Sequence, residues 1–145
     1  MEKMDPQMAA RVWQRVRGNG EETVNVQTVI AWEKESEAIL QYLNRRLPEK
    51  GYGLQQMIGD TRRHIACLQG IRQLTGEKGG NYVAKPVSGE PGSLLRKCYG
   101  QSLRVGAWYA SQTENSQYGV VFGDMARTKR RHCATILEIF GSMSF

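Results

Sequence analysis

Four stretches of this chain repeat apolar residues every three or four positions, and each is long enough for about six helical turns. The first, residues 26–47, carries Val29, Trp32, Glu35 or Ser36, Ile39 and Tyr42 or Leu43 on one face and stops at Pro48. The second, 53–75, carries Leu54, Met57, Ile58, Thr61, His64 or Ile65, Leu68 and Ile71, and stops at Gly76. The third, 92–113, presents Leu95, Cys98, Tyr99, Ser102, Val105 and Tyr109. The fourth, 119–140, presents Val121, Met125, Thr128 or Lys129, His132, Thr135 or Ile136, and Ile139. No stretch alternates at the two-residue period of a half-buried strand, so the chain is predicted to be all-α.

The connections set the topology. Pro48-Glu49-Lys50-Gly51 and Asn115-Ser116 are short turns, which predict two antiparallel helical hairpins. Between Thr75 and Ser93 the chain instead collects Gly76, Gly79, Gly80, Pro86, Gly89, Pro91 and Gly92. That stretch is too long for a tight turn and reads as a crossover over 77–91, giving a four-helix bundle over residues 26–145. Residues 1–25 form a separate unit of short helix and linker. Asp5-Pro6 is a favourable helix start, Met8, Val12, Trp13 and Val16 share one face expected to pack across the bundle, and Gly18-Asn19-Gly20 ends it. Gly59, Gly70, Gly100, Gly106 and Gly123 each weaken a helix interior by roughly 0.8–1 kcal/mol and are expected where helices approach closely.

Charge and cysteine content narrow the functional classes. Twenty Lys+Arg against fourteen Asp+Glu give +6. The basic clusters Arg45-Arg46, Arg62-Arg63 and Arg127 to Arg131 could meet phosphates, but no recognition motif or interleaved aromatic residues accompany them. They read as solvated helix faces, so nucleic acid is not an expected partner; a basic module for nucleic acid or an acidic protein is the third functional reading. Cys67, Cys98 and Cys133 are odd in number and lack a CxxC pair, the usage of a reducing compartment. With no apolar leader and no spanning segment, the expectation is a cytoplasmic chain with no membrane role. The sequence leaves a homo-oligomer open.

An internal repeat carries the chemistry. Glu35 stands seven residues before Tyr42, and Arg62-Arg63-His64 follows on the next helix. About 67 residues on, Ser102 stands seven before Tyr109, with Arg130-Arg131-His132 on the helix after it. These paired halves resemble the rubrerythrin-type proteins of the ferritin-like group. The resemblance implies a ferritin-like bundle in which each half supplies a glutamate and a Glu-x-x-His motif to a di-iron centre. Carried over residue by residue, it leaves a remnant of Glu35, His64 and His132. Thr61, Ser102 and Lys129 stand where three further acids belong. A single carboxylate cannot offset two divalent ions, and a lysine adds positive charge instead.

The expected function is therefore that of a rubrerythrin-like protein whose di-iron site is largely lost, non-catalytic or weakly metal-binding. At most a single iron, zinc or manganese ion is expected as cofactor. The alternative is an oxidoreductase handling peroxide or iron at a mononuclear site on Glu35, His64 and His132. Tyr42 and Tyr109 are expected in the core with their hydroxyls hydrogen-bonded. No base stands beside Cys98 or Cys133 in the pattern, so a cysteine nucleophile is not expected. Finally, Glu35 on an apolar face and Lys129 on another each face a steep desolvation cost, which predicts that they pair.

Overall fold

The computed structural model describes residues 24–143 apart from 78 and 116. The predicted N-terminal helix lies outside the described residues. All the regular structure described is helical: α1 (Val26–Arg46), α2 (Gly51–Thr75), α3 (Pro91–Ser111) and α4 (Gly119–Ser142), with a single 3-10 turn at Pro48–Lys50. No described helix is long and apolar enough to cross a membrane.

The boundaries follow local chemistry. Asn25 opens α1 by accepting the Thr28 amide on its side chain at 2.9 Å. Pro48 closes it, since a proline continues a helix only by breaking it. Gly76 ends α2 in the left-handed conformation, φ 74°, which a residue without Cβ adopts at little cost. Glu90 caps α3 through the Ser93 amide, and Pro91 occupies its first position, where a missing N–H does no harm.

Helices α1 and α2 form one hairpin and α3 and α4 the other; α1 packs on α3 and α2 on α4. The described residues between 77 and 90 have no regular secondary structure and run along α1. Gln27 donates to the Gly80 carbonyl, Lys34 to Tyr82 and Tyr42 to Gly89, three ties that climb α1 from its first turn to its last. The crossover thus carries the chain back to the far end of the bundle, and α3 runs parallel to α2. Pairing of Val24 with Trp108 and of Trp32 with Gln101 confirms that α1 and α3 are antiparallel. The order is up, down, down, up.

The core is divided across its length. One apolar cluster unites Ile39, Leu40 and Leu43 with Leu54, Met57, Leu95, Cys98 and Ile136. The other unites Val29 and Ile30 with Ile65, Leu68, Val105, Tyr109, Phe122 and Met125. Between them lie the buried polar residues: Glu33, Ser36, Thr61, His64, Gln101, Ser102, Lys129 and His132. Every residue predicted to face inward on α2 does so, either choice at 64–65 included. On α4 the stripe is turned slightly, burying Phe122 in place of Val121, which is 38% exposed.

Only some interior glycines mark close approach. A Cβ on Gly106 would lie 3.1 Å from the Lys129 Cβ, and one on Gly53 would lie 3.2 Å from Thr135. Gly70 and Gly100 face open space, which corrects the expectation that every one of these interior glycines sits at a helix contact. Gly100→Ala should therefore stabilise the fold by about 0.5–1 kcal/mol, the helix-propensity difference alone. Gly106→Leu should destabilise it by about 1–3 kcal/mol through overpacking against Lys129. Denaturant midpoints of the two variants moving in the same direction would contradict this packing.

Candidate functional site

The core glutamate is Glu33, two residues before the position that the sequence stripe predicts. Val29, Glu33, Ser36, Leu40 and Leu43 follow one another at spacings of four, three, four and three, and all are buried. Positions 33 and 35 lie about 200° apart around a helix, so both cannot face the axis. Trp32, whose bulk suggests an inward marker, is only half-buried, with the Arg104 guanidinium 3.9 Å from its ring centroid. Glu35 is correspondingly half-buried and turns to α3, where it accepts from the Gln101 side-chain amide at 2.7 Å.

Glu33 is fully buried and accepts from three helices. The Lys129 ammonium of α4 donates to Oε1 at 2.8 Å. On Oε2 the Tyr109 hydroxyl of α3 donates at 2.7 Å, and the His64 Nδ1 of α2 lies at 2.9 Å. Lys129 is 1% exposed. The predicted internal pair therefore exists for the lysine, with a different carboxylate as partner. Thr61 is buried beside it but turns its hydroxyl back to the Met57 carbonyl at 2.8 Å. Ser102 is buried in the same layer. The Ser36 hydroxyl, one turn beyond Glu33, has no hydrogen-bond partner among the described residues.

The second histidine has its own carboxylate. His132 Nε2 lies 3.0 Å from Asp60 Oδ2, across the seam between α4 and α2. Arg63, on the outer side, pairs with the other oxygen of Asp60. The two imidazoles face each other nearly parallel, 15° apart, with centroids at 6.4 Å. Asp60 is four residues before His64, a spacing that keeps side chains on neighbouring strips of one helix face, so the carboxylate can reach α4.

The two halves of the repeat are not equivalent in space. Tyr109 is fully buried on Glu33, as expected of a core tyrosine. Tyr42 is half-buried at the bundle surface, where it donates to the crossover carbonyl of Gly89 at 3.1 Å and meets Arg46. The expectation that Tyr42 joins the core polar cluster is corrected: its position on α1 faces the strap, not the axis.

The charges are set by burial and neighbours. Burial by itself would raise the Glu33 carboxyl, but the Lys129 ammonium and the His64 hydrogen bond outweigh it and lower the group to about 2. Burial, aided by the Lys129 charge, pushes His132 down to about 4 against the opposing pull of Asp60. Burial and the Glu33 charge raise the Tyr109 phenol, which remains a donor. Burial pushes the Cys98 thiol up to about 12, so it is no thiolate at neutral pH. The arrangement is a closed circuit of matched charge. Among the described residues, no group of three or more His, Cys, Asp or Glu side chains is placed to share a metal ion.

Two outcomes follow. Lys129→Met leaves an unpaired buried carboxylate and should cost on the order of 3–5 kcal/mol, whereas Glu33→Gln combined with Lys129→Met should cost far less. A double-mutant cycle that gives no coupling would refute the pair. Acid should destabilise the fold in two stages. Between pH 6.5 and about 4 His132 is protonated in the unfolded chain but neutral in the folded one, so unfolding takes up a proton. Stability then falls as pH drops, by about 3 kcal/mol across that window. Glu33 extends the loss from pH 4.5 down to about 2, where the folded chain still resists protonation. Unfolding midpoints measured from pH 7 to 3 should show both slopes, and His132→Gln should flatten the upper one.

Comparison of the chain with protein-family models, with curated proteins and with solved structures returns no match.

Proposed function

We propose that this chain is a ferritin-like bundle of the rubrerythrin type in which an internal ion pair holds the place of the di-iron centre, and that it acts as a non-catalytic or only weakly metal-binding protein. The observation that carries this reading is the Lys129 ammonium, 2.8 Å from Glu33 at mid-core. The topology supports it: two hairpins with one long crossover, in the up-down-down-up order, are the ferritin-like arrangement. So does the placement of His64 and His132, each three residues after a buried Thr61 or Lys129, on facing helices of the polar layer.

The donor set fits this reading and does not fit a di-iron centre. Within the fully buried layer Glu33 is the single carboxylate, and its oxygens already accept from an ammonium, a phenol and an imidazole. Two divalent ions would have to displace a lysine that is itself cationic, against strong like-charge repulsion. Asp60 lies nearby but is shared between His132 and Arg63.

Metal analysis of the purified protein tests the reading. Protein produced with iron supplied, in air and anaerobically, is expected to carry metal well below stoichiometry and to lack a ferric charge-transfer band. A stable di-iron spectrum overturns it. Replacing Thr61, Ser102 and Lys129 together by glutamate should move the chain toward metal retention.

A further inference from the structure

We propose that the outer seam between α3 and α4 binds an amphipathic helix of a partner protein, one whose apolar stripe ends in an acidic residue on either side. The seam is a groove: the buried Leu95 and Ile136 form its floor, Tyr99, Leu137 and Phe140 line it, and Arg96 stands at its rim. Leu137 is 56% exposed, and Leu103, one turn beyond Tyr99 on α3, is 53% exposed. Two half-exposed leucines on one apolar groove are a surface that a cover would relieve of contact with water.

Register places a cation at each end of that surface. A Cβ on Gly106 would lie 3.1 Å from the Lys129 Cβ, so these positions face each other across the antiparallel pair. Arg96, ten residues before Gly106, is therefore level with Ile139, nine residues beyond Arg130. The two arginines stand about 14 Å apart along the groove. Leu103 follows Arg96 by seven residues and Leu137 follows Arg130 by seven, a spacing that keeps each pair on one strip of its helix. The order along the seam is Arg96, Leu137, Leu103, Arg130. Arg96 lies over the Phe140 ring, and neither arginine has an ion-pair partner among the described residues.

Charge selects the occupant. Helix α3 has no acidic residue. Helix α4 has Asp124, paired with Arg127, and Glu138, about 100° round the helix from Leu137. Against these two acids the two helices expose six arginines and lysines. A second copy docking through the same face would set arginine against arginine, whether the two-fold axis ran along the groove or across it. A bilayer presents headgroups in a plane, which meets exposed leucines but does not fill a groove, whereas a helix offers a ridge of side chains that enters it. The occupant is thus a helix with large apolar residues at three-and-four spacing and carboxylates that reach Arg96 and Arg130. This recognition is independent of the polar layer, which lies on the inner side of the same helices.

A fluorescein-labelled peptide tests the site on the full chain. Its helix carries leucines at three-and-four spacing and a glutamate one turn beyond each end of the stripe; a second peptide has lysine in place of both glutamates. Anisotropy titrations are expected to show saturable binding of the glutamate peptide, roughly tenfold tighter than that of the lysine peptide. Arg96→Glu with Arg130→Glu should reverse the preference, and Leu137→Asp should weaken the glutamate peptide roughly tenfold. Arg45→Glu with Lys85→Glu, an equal change of charge away from the seam, should leave the preference in place. Circular dichroism checks that each variant keeps its helices, and Leu103→Asp serves if Leu137→Asp does not fold. Equal binding of the two peptides, no binding of the glutamate peptide, or loss of the preference in the Arg45 and Lys85 variant overturns the proposal. So does binding to phosphatidylglycerol vesicles that Leu137→Asp abolishes, which would assign the strip to a membrane. A dimer in sedimentation that the same change dissociates would assign it to a second copy and overturn the proposal as well.

Discussion

The polar layer of this bundle depends on the desolvation of one carboxylate. A charge at the position of Glu33 is tolerable only if partners arrive from every side, and they come from three different helices: an ammonium from α4, an imidazole from α2 and a phenol from α3. Such a set fixes the axial register of all four helices more sharply than apolar packing does. A slip of one helical turn, about 5.4 Å, would leave Glu33 or Lys129 facing leucines. Buried polar networks specify structure when their charged members are satisfied, and among the described residues the fully buried side-chain atom without a hydrogen bond is the neutral Ser36 hydroxyl.

Much of the architecture was legible because breakers and stripes agree. The inward face of α2 is continuous and apolar on both sides of Thr61 and His64, so its phase is unambiguous. The phase of α1 is less so. Trp32 and Tyr42 look like core residues by size, yet each uses an aromatic ring on a half-exposed face, one under Arg104 and the other under Arg46. Following them turns the stripe by half a helix and selects Glu35 over Glu33. The neighbours that resolve the choice, Tyr109 and Lys129, are 76 and 96 residues away in sequence. Asp60 is legible only in three dimensions, because its partner His132 lies across a helix seam.

The same layer explains the contrast between the two tyrosines of the repeat. A duplicated pattern keeps spacing within each hairpin, but the crossover ties itself by hydrogen bonds to α1. Tyr42 is drawn to that strap, while Tyr109 turns to the axis. Sequence symmetry and spatial symmetry part at the one connection that has no counterpart.

The distribution of Glu33 and Lys129 between the two hairpins has a consequence for assembly. If two copies of the α1–α2 hairpin associated with each other, they would bring two carboxylates into one dry layer; two α3–α4 hairpins would bring two ammonium groups. Either homotypic product carries a like-charge repulsion that the mixed product lacks. The two hairpins are thus complementary halves in the electrostatic sense, each supplying the charge that the other's dry layer requires.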